Sequence, residues 1–118
     1  MHEKGRNDSI PLKPSNPRHY SVVGLEFFSF HGYLKVKSFE YIVRCSFMFG
    51  SDAESILEYK GAVIYPGKEQ KSKLTDSSVT GFSNATAVEI TVVSVTFDDG
   101  KTYRIPASDW EAYTFDMR

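Results

Sequence analysis

Hydrophobic residues recur at every second position over two long stretches of this chain, and that spacing predicts β-strands. Phe39, Tyr41, Val43, Cys45, Phe47 and Phe49 alternate with Glu40, Ile42, Arg44, Ser46 and Met48, the period of a half-buried strand. A helix over the same residues would scatter Glu40, Arg44 and Ser46 around its circumference. Thr86 to Phe97 is the second such stretch. There the inward phase shifts, from Val88, Ile90 and Val92 to Val93, Val95 and Phe97, so the pattern predicts a bulge at Val92–Val93.

Shorter elements flank these two. Tyr20 to Phe30 reads as a first strand, apolar on both faces, which implies a central place in a sheet or a bulge near Gly24. Tyr33 to Lys37 alternates Leu34 and Val36 with Lys35 and Lys37 on the solvent side. Ile56 to Tyr65 supplies another strand, ended by the turn dipeptide Pro66-Gly67. Glu69 to Leu74 reads as a charged edge strand, and Thr75 to Ala85, rich in Ser, Thr, Asn and Gly, as an exposed loop. Asp98-Asp99-Gly100 predicts a hairpin into Lys101 to Ile105. Ser108-Asp109-Trp110-Glu111 fits a Ser-x-x-Glu capping box, so one helical turn is expected after Pro106, with Trp110, Tyr113 and Phe115 covering an open end of the core.

About seven strands and one short C-terminal helical turn predict an all-β domain, a two-sheet antiparallel sandwich, with a small partly open β-barrel as the alternative. Tyr65 to Leu74 (YPGKEQKSKL) and Ala87 to Tyr103 (AVEITVVSVTFDDGKTY) resemble the later strands of immunoglobulin-like domains found in many uncharacterised bacterial proteins. In those domains a Pro-Gly turn precedes a charged strand, and a long β-branched strand enters an Asp-Gly hairpin followed by an aromatic. The resemblance implies an immunoglobulin-like sandwich and carries no catalytic residue across.

Length and composition narrow the function. With 118 residues the chain is sized for one domain. Residues 1–18 are expected to form an extended arm marked by Pro11, Pro14 and Pro17, mobile by its composition, and residues 19–118 the sandwich. Cys45 is the only cysteine, so no internal disulfide exists, and its place in the apolar phase predicts a buried thiol rather than a nucleophile. A formal net charge of -1 gives no overall positive field for nucleic acid, although residues 1–37 carry six Lys/Arg against three Asp/Glu and the rest eight against twelve. No apolar run of signal-peptide or membrane-spanning length is present, and the chain is expected in the cytoplasm, away from any membrane. The sequons at Asn7 and Asn84 then have no role.

No chemistry-bearing motif emerges. His2, His19 and His31 are far apart in sequence, and no metal-ligand spacing occurs, so neither metal nor cofactor is expected. Asp98-Asp99-Gly100 lacks the further oxygen ligands of a calcium loop. An enzyme would need distant residues such as His31, Asp98 and Tyr103 to converge. The expectation is therefore a non-catalytic protein-binding module, an inhibitor, immunity or adaptor protein. Its partner would be another protein, contacted through loops, edge strands and the arm, with Pro11, Pro14, Pro17 and Arg18 as candidate contacts. The alternative is a binder of single-stranded nucleic acid or a small ligand through Phe27 to Lys37, where Phe28, Phe30 and Tyr33 interleave with Lys35 and Lys37.

Overall fold

The computed structural model describes residues 12–16, 19–23, 35–65 and 68–116. Their regular structure is almost entirely antiparallel β-sheet, and no α-helix occurs among them. The strands are β1 (Leu12–Asn16), β2 (His19–Val23), β3 (Val36–Ser46), β4 (Ala53–Tyr59), β5 (Glu69–Lys73), β6 (Ala87–Phe97), β7 (Thr102–Arg104) and β8 (Ala112–Asp116). A three-stranded sheet runs β1-β2-β5 and a five-stranded sheet runs β4-β3-β6-β7, with β8 also pairing β6. Neither sheet closes on itself among the described residues.

The two predicted long strands are the centre of the larger sheet. β3 and β6 pair along their lengths, Val43 facing Ile90 and Cys45 facing Val88, and their inward residues are almost completely buried. The pairing shifts register between Glu40 and Tyr41, where Glu40 faces Ser94 and Tyr41 faces Val92. Val93 is thus the extra residue of a bulge, as the phase change along 88–97 predicts. The Val93 carbonyl accepts the Ile105 amide at 3.0 Å, so the bulge leaves no unmet backbone acceptor there.

Beyond the bulge, the far edge of β6 is shared. β7 pairs with Ser94 to Thr96 and β8 with Ala87 to Thr91. β7 and β8 therefore run in one direction along one edge, and residues 105–111 loop out between them. The expected capped helix is instead a single 3-10 turn, Ala107–Asp109, whose N-cap is Pro106 and which has no side-chain cap. A strand follows it, because β6 has an open edge to complete. Tyr113 packs against the core from within β8.

The smaller sheet shares that core. Tyr20 and Val22 of β2 are buried with Phe39, Tyr41 and Val43 of β3. The Tyr20 and Tyr41 hydroxyls are hydrogen-bonded at 2.5 Å, their rings 5.6 Å apart, while Phe39 stacks on Tyr59 at 5.1 Å. Aromatic pairs at such spacings add to their area burial. Each hydroxyl satisfies the other in an otherwise apolar layer.

Other expectations are corrected in detail. Residues 12–16 of the expected arm form β1, which pairs with β2, Pro14 opposite Tyr20. An edge strand tolerates a residue without an amide hydrogen. The predicted strand from Ile56 to Tyr65 begins earlier and stops at Tyr59, where the chain turns through Gly61 and Ala62, the latter's carbonyl accepting the Tyr59 hydroxyl at 3.0 Å. Only Ile64 rejoins the sheet, through a bridge to Val36. The segment 75–85 is no open loop, since Val79, Phe82 and Ala85 are buried while Asp76 ties down the Ser83 amide and hydroxyl. Its Ser, Thr and Asn residues build turns around that apolar plug. Phe49, expected inward, is 85% exposed beyond the end of β3. The Asp98-Asp99-Gly100 hairpin forms as expected, with Gly100 at φ 89.

Burial, aided by Tyr20, pushes the Tyr41 phenol far above its ordinary value. A phenol that holds its proton more tightly when folded contributes fully to stability below its unfolded pKa of about 10 and loses that contribution as pH rises past it. Stability measured by denaturant titration should be flat from neutral pH to about 9 and fall above about 10. The fall should be shallower in Tyr41→Phe, which itself should cost about 1–3 kcal/mol at neutral pH by orphaning the Tyr20 hydroxyl.

Candidate functional site

The inward face of the five-stranded sheet is consumed by the core; its outward face is not. Strict alternation places Glu54, Ile56 and Glu58 of β4 outward. On β3 the outward residues are Ser38, Glu40, Ile42, Arg44 and Ser46. The bulge moves the outward phase of β6 from Glu89 and Thr91 to Ser94 and Thr96.

Register turns these residues into cross-strand rungs. One rung reads Glu54, Arg44, Glu89, Thr114; the next Ile56, Ile42, Thr91, Ala112; the third Glu58, Glu40, Ser94, Arg104. Residues directly opposite lie close enough for their side chains to interact. In the first, Arg44 reaches Glu54 at 3.6 Å and Glu89 at 3.9 Å. In the third, Arg104 lies 3.6 Å from Glu40, whose carboxylate accepts the Ser94 hydroxyl at 2.9 Å, while Glu58 contacts Lys60 at 3.7 Å. All these ion pairs are well exposed and contribute little to stability.

The middle rung is apolar, and Trp110 completes it. The indole Nε1 donates to the Ile105 carbonyl at 2.8 Å, holding the ring beside a depression of about 240 Å³ that Ile42, Thr91 and Ala112 line with Arg44, Glu54 and Glu89. Two smaller depressions, of about 200 and 110 Å³, continue the same face to either side. Ile56 is 69% exposed and Trp110 42%. The arrangement is an apolar band with one fixed tryptophan between two charged rungs, a surface suited to contact and shallow for chemistry.

The sequence-predicted contacts lie elsewhere. Pro11, Pro17, Arg18, Phe28, Phe30 and Tyr33 fall outside the described residues, as do His2 and His31; Pro14 sits in β1 and His19 in β2. Lys35 and Lys37 are exposed as expected, and the Lys35 ammonium rests 5.0 Å over the Tyr65 ring. Asp98 is exposed in its hairpin and Tyr103 packs against the core. Cys45 is buried and free, its thiol pushed up by burial and by the charge of Asp52. Among the described residues no three His, Cys, Asp or Glu side chains stand together as a metal site, and no helix is long and apolar enough to cross a membrane.

Sequence reasoning missed the outward face because it read Ile42 and Ile56 as ordinary positions and Trp110 as a cover for the core. A signal existed: Ile42 interrupts the polar phase of Glu40, Arg44 and Ser46. No protein-family model, no curated protein and no solved structure matches this chain.

Because its ion pairs are exposed, the Arg44 triad should hardly matter for folding. A double-mutant cycle of Arg44→Ala with Glu89→Ala, read by urea unfolding, should give a coupling below about 1 kcal/mol. Cys45 should resist a thiol reagent in the native protein and react fully in denaturant.

Proposed function

We propose that this chain is a non-catalytic protein-binding module built on an immunoglobulin-like β-sandwich, working in the cytoplasm as an inhibitor, immunity or adaptor protein. The sandwich reading is supported by two antiparallel sheets that share one core through Tyr20 and Tyr41. Cytoplasmic residence is consistent with the single, unpaired thiol of Cys45.

The observation that carries the functional reading is the apolar band of exposed Ile56 and Trp110 with half-buried Ile42, lying between the two charged rungs. Tryptophan held rigid beside aliphatic residues, with polar groups around it, is the composition of a binding hot spot. Edge strands and the proline-containing N-terminal segment are additional contact elements in this reading.

A photo-crosslinking amino acid at Ile56 tests the proposal, with the exposed Lys71 on the smaller sheet as control. Irradiation in the source cell should give a discrete protein adduct from position 56 and none from position 71. Ile56→Asp should weaken capture of that partner at least tenfold, about 1.4 kcal/mol, without moving the unfolding midpoint. Absence of any protein adduct at position 56, or adducts to RNA alone, would refute it.

A further inference from the structure

Resting on that reading of the outward face, we infer that its partner is a second copy of this chain, packed face to face about a twofold axis parallel to the strands. Half a turn about the strand direction carries each rung onto itself with the strand order reversed: β4 meets the β7/β8 edge, and β3 meets β6. The order of charges along the rungs is complementary to its own reversal.

The third rung, Glu58, Glu40, Ser94, Arg104, then faces Arg104, Ser94, Glu40, Glu58. Both ends of the rung pair opposite charges, while Ser94, buried and already donating to Glu40 of its own chain, lies beneath the contact. In the first rung Arg44 faces Glu89 of the second copy, and Glu89 faces its Arg44. Between these rungs Ile56 meets the Ala112 and Trp110 side of the other face, again twice by symmetry. Among the described residues of these strands, the like charges brought opposite one another are Asp52 and Asp116 at the outermost end of the face, where solvent screens them.

The other twofold axis available to stacked sheets, lying across the strands, would set Arg44 against Glu40 of the second copy but also Glu54 against Glu58, each twice, so that repulsion offsets attraction. Within one chain Lys60 already pairs with Glu58 and Arg104 with Glu40, and in the first arrangement the second Arg104 adds a cation beside Glu58. Isologous self-complementarity of this kind is what a closed dimer requires.

Size sets the strength. Four strands about 4.8 Å apart and nine residues at about 3.4 Å each give a patch on the order of 600 Å², below the roughly 800 Å² per partner of a standard interface. The dimer should therefore be reversible, with dissociation in the micromolar range.

Sedimentation velocity with a charge swap tests this. Glu58 and Arg104 of one chain stand on strands separated by β3 and β6, about 14 Å apart, so they cannot pair within a chain. Wild type should show a monomer–dimer equilibrium between about 1 μM and 1 mM. Glu58→Arg and Arg104→Glu, each checked for an unchanged circular dichroism spectrum, should each weaken it at least tenfold. An equimolar mixture of the two single variants should dimerise again, because every Glu58/Arg104 contact across the mixed interface regains opposite charges. A wild type that stays monomeric throughout, single variants that dimerise as well as wild type, or a mixture that fails to recover would each overturn the inference. If wild type is monomeric while position 56 still crosslinks to a different protein in the cell, the second copy is excluded and the contact-surface reading stands; no adduct at position 56 ends that reading as well.

Discussion

One extra residue, Val93, organises the larger sheet. Because β6 carries three residues where β3 carries two, the apolar residues on both sides of the break point to the same core. Without it, Val95 and Phe97 would face solvent, since a one-residue slip exchanges the faces of a strand. The Val93 carbonyl accepts the Ile105 amide, carrying the β6–β7 register one residue past Ser94 and Arg104. That bond fixes where β7 ends and where the crossing segment leaves the sheet, which in turn decides where Trp110 comes to rest.

The division between the two faces of the sheet follows from what each must satisfy. Inside, Tyr20, Phe39, Tyr41 and Tyr59 form a continuous aromatic layer whose polar atoms are matched, hydroxyl to hydroxyl and hydroxyl to carbonyl. Large rings supply much buried area per residue, which a chain of this length needs to offset conformational entropy. Outside, the charges are paired loosely and contribute little to folding. Their arrangement is therefore not dictated by folding stability.

The strands were legible in the sequence to the extent that burial is periodic. β3 and β6 alternate over many residues, so their existence, their partnership in a core and even the bulge follow from the order of apolar residues. The Asp-Gly hairpin follows from turn chemistry. β8 was not legible, because Ala112 to Asp116 mixes aromatics with polar residues and becomes a strand only through the edge that β6 leaves open. The segment 75–85 misleads for the opposite reason: its composition is that of a loop, but its three apolar residues are spaced to plug the core. The outward face depends on register between distant strands. Glu54, Arg44 and Glu89 become neighbours only once β3 is known to lie between β4 and β6, so no local pattern shows them together.

The division of one sheet edge into β7 and β8 also has a meaning for how the sequence can change over time. The crossing residues 105–111 begin at a backbone bond to the bulge and end where β8 starts pairing, so both ends of the excursion are clamped to β6. Lengthening a segment held in this way costs little, about 0.6 kcal/mol for each doubling of its length. The crossing is thus a place where the chain can lengthen while the sheet beneath it stays the same.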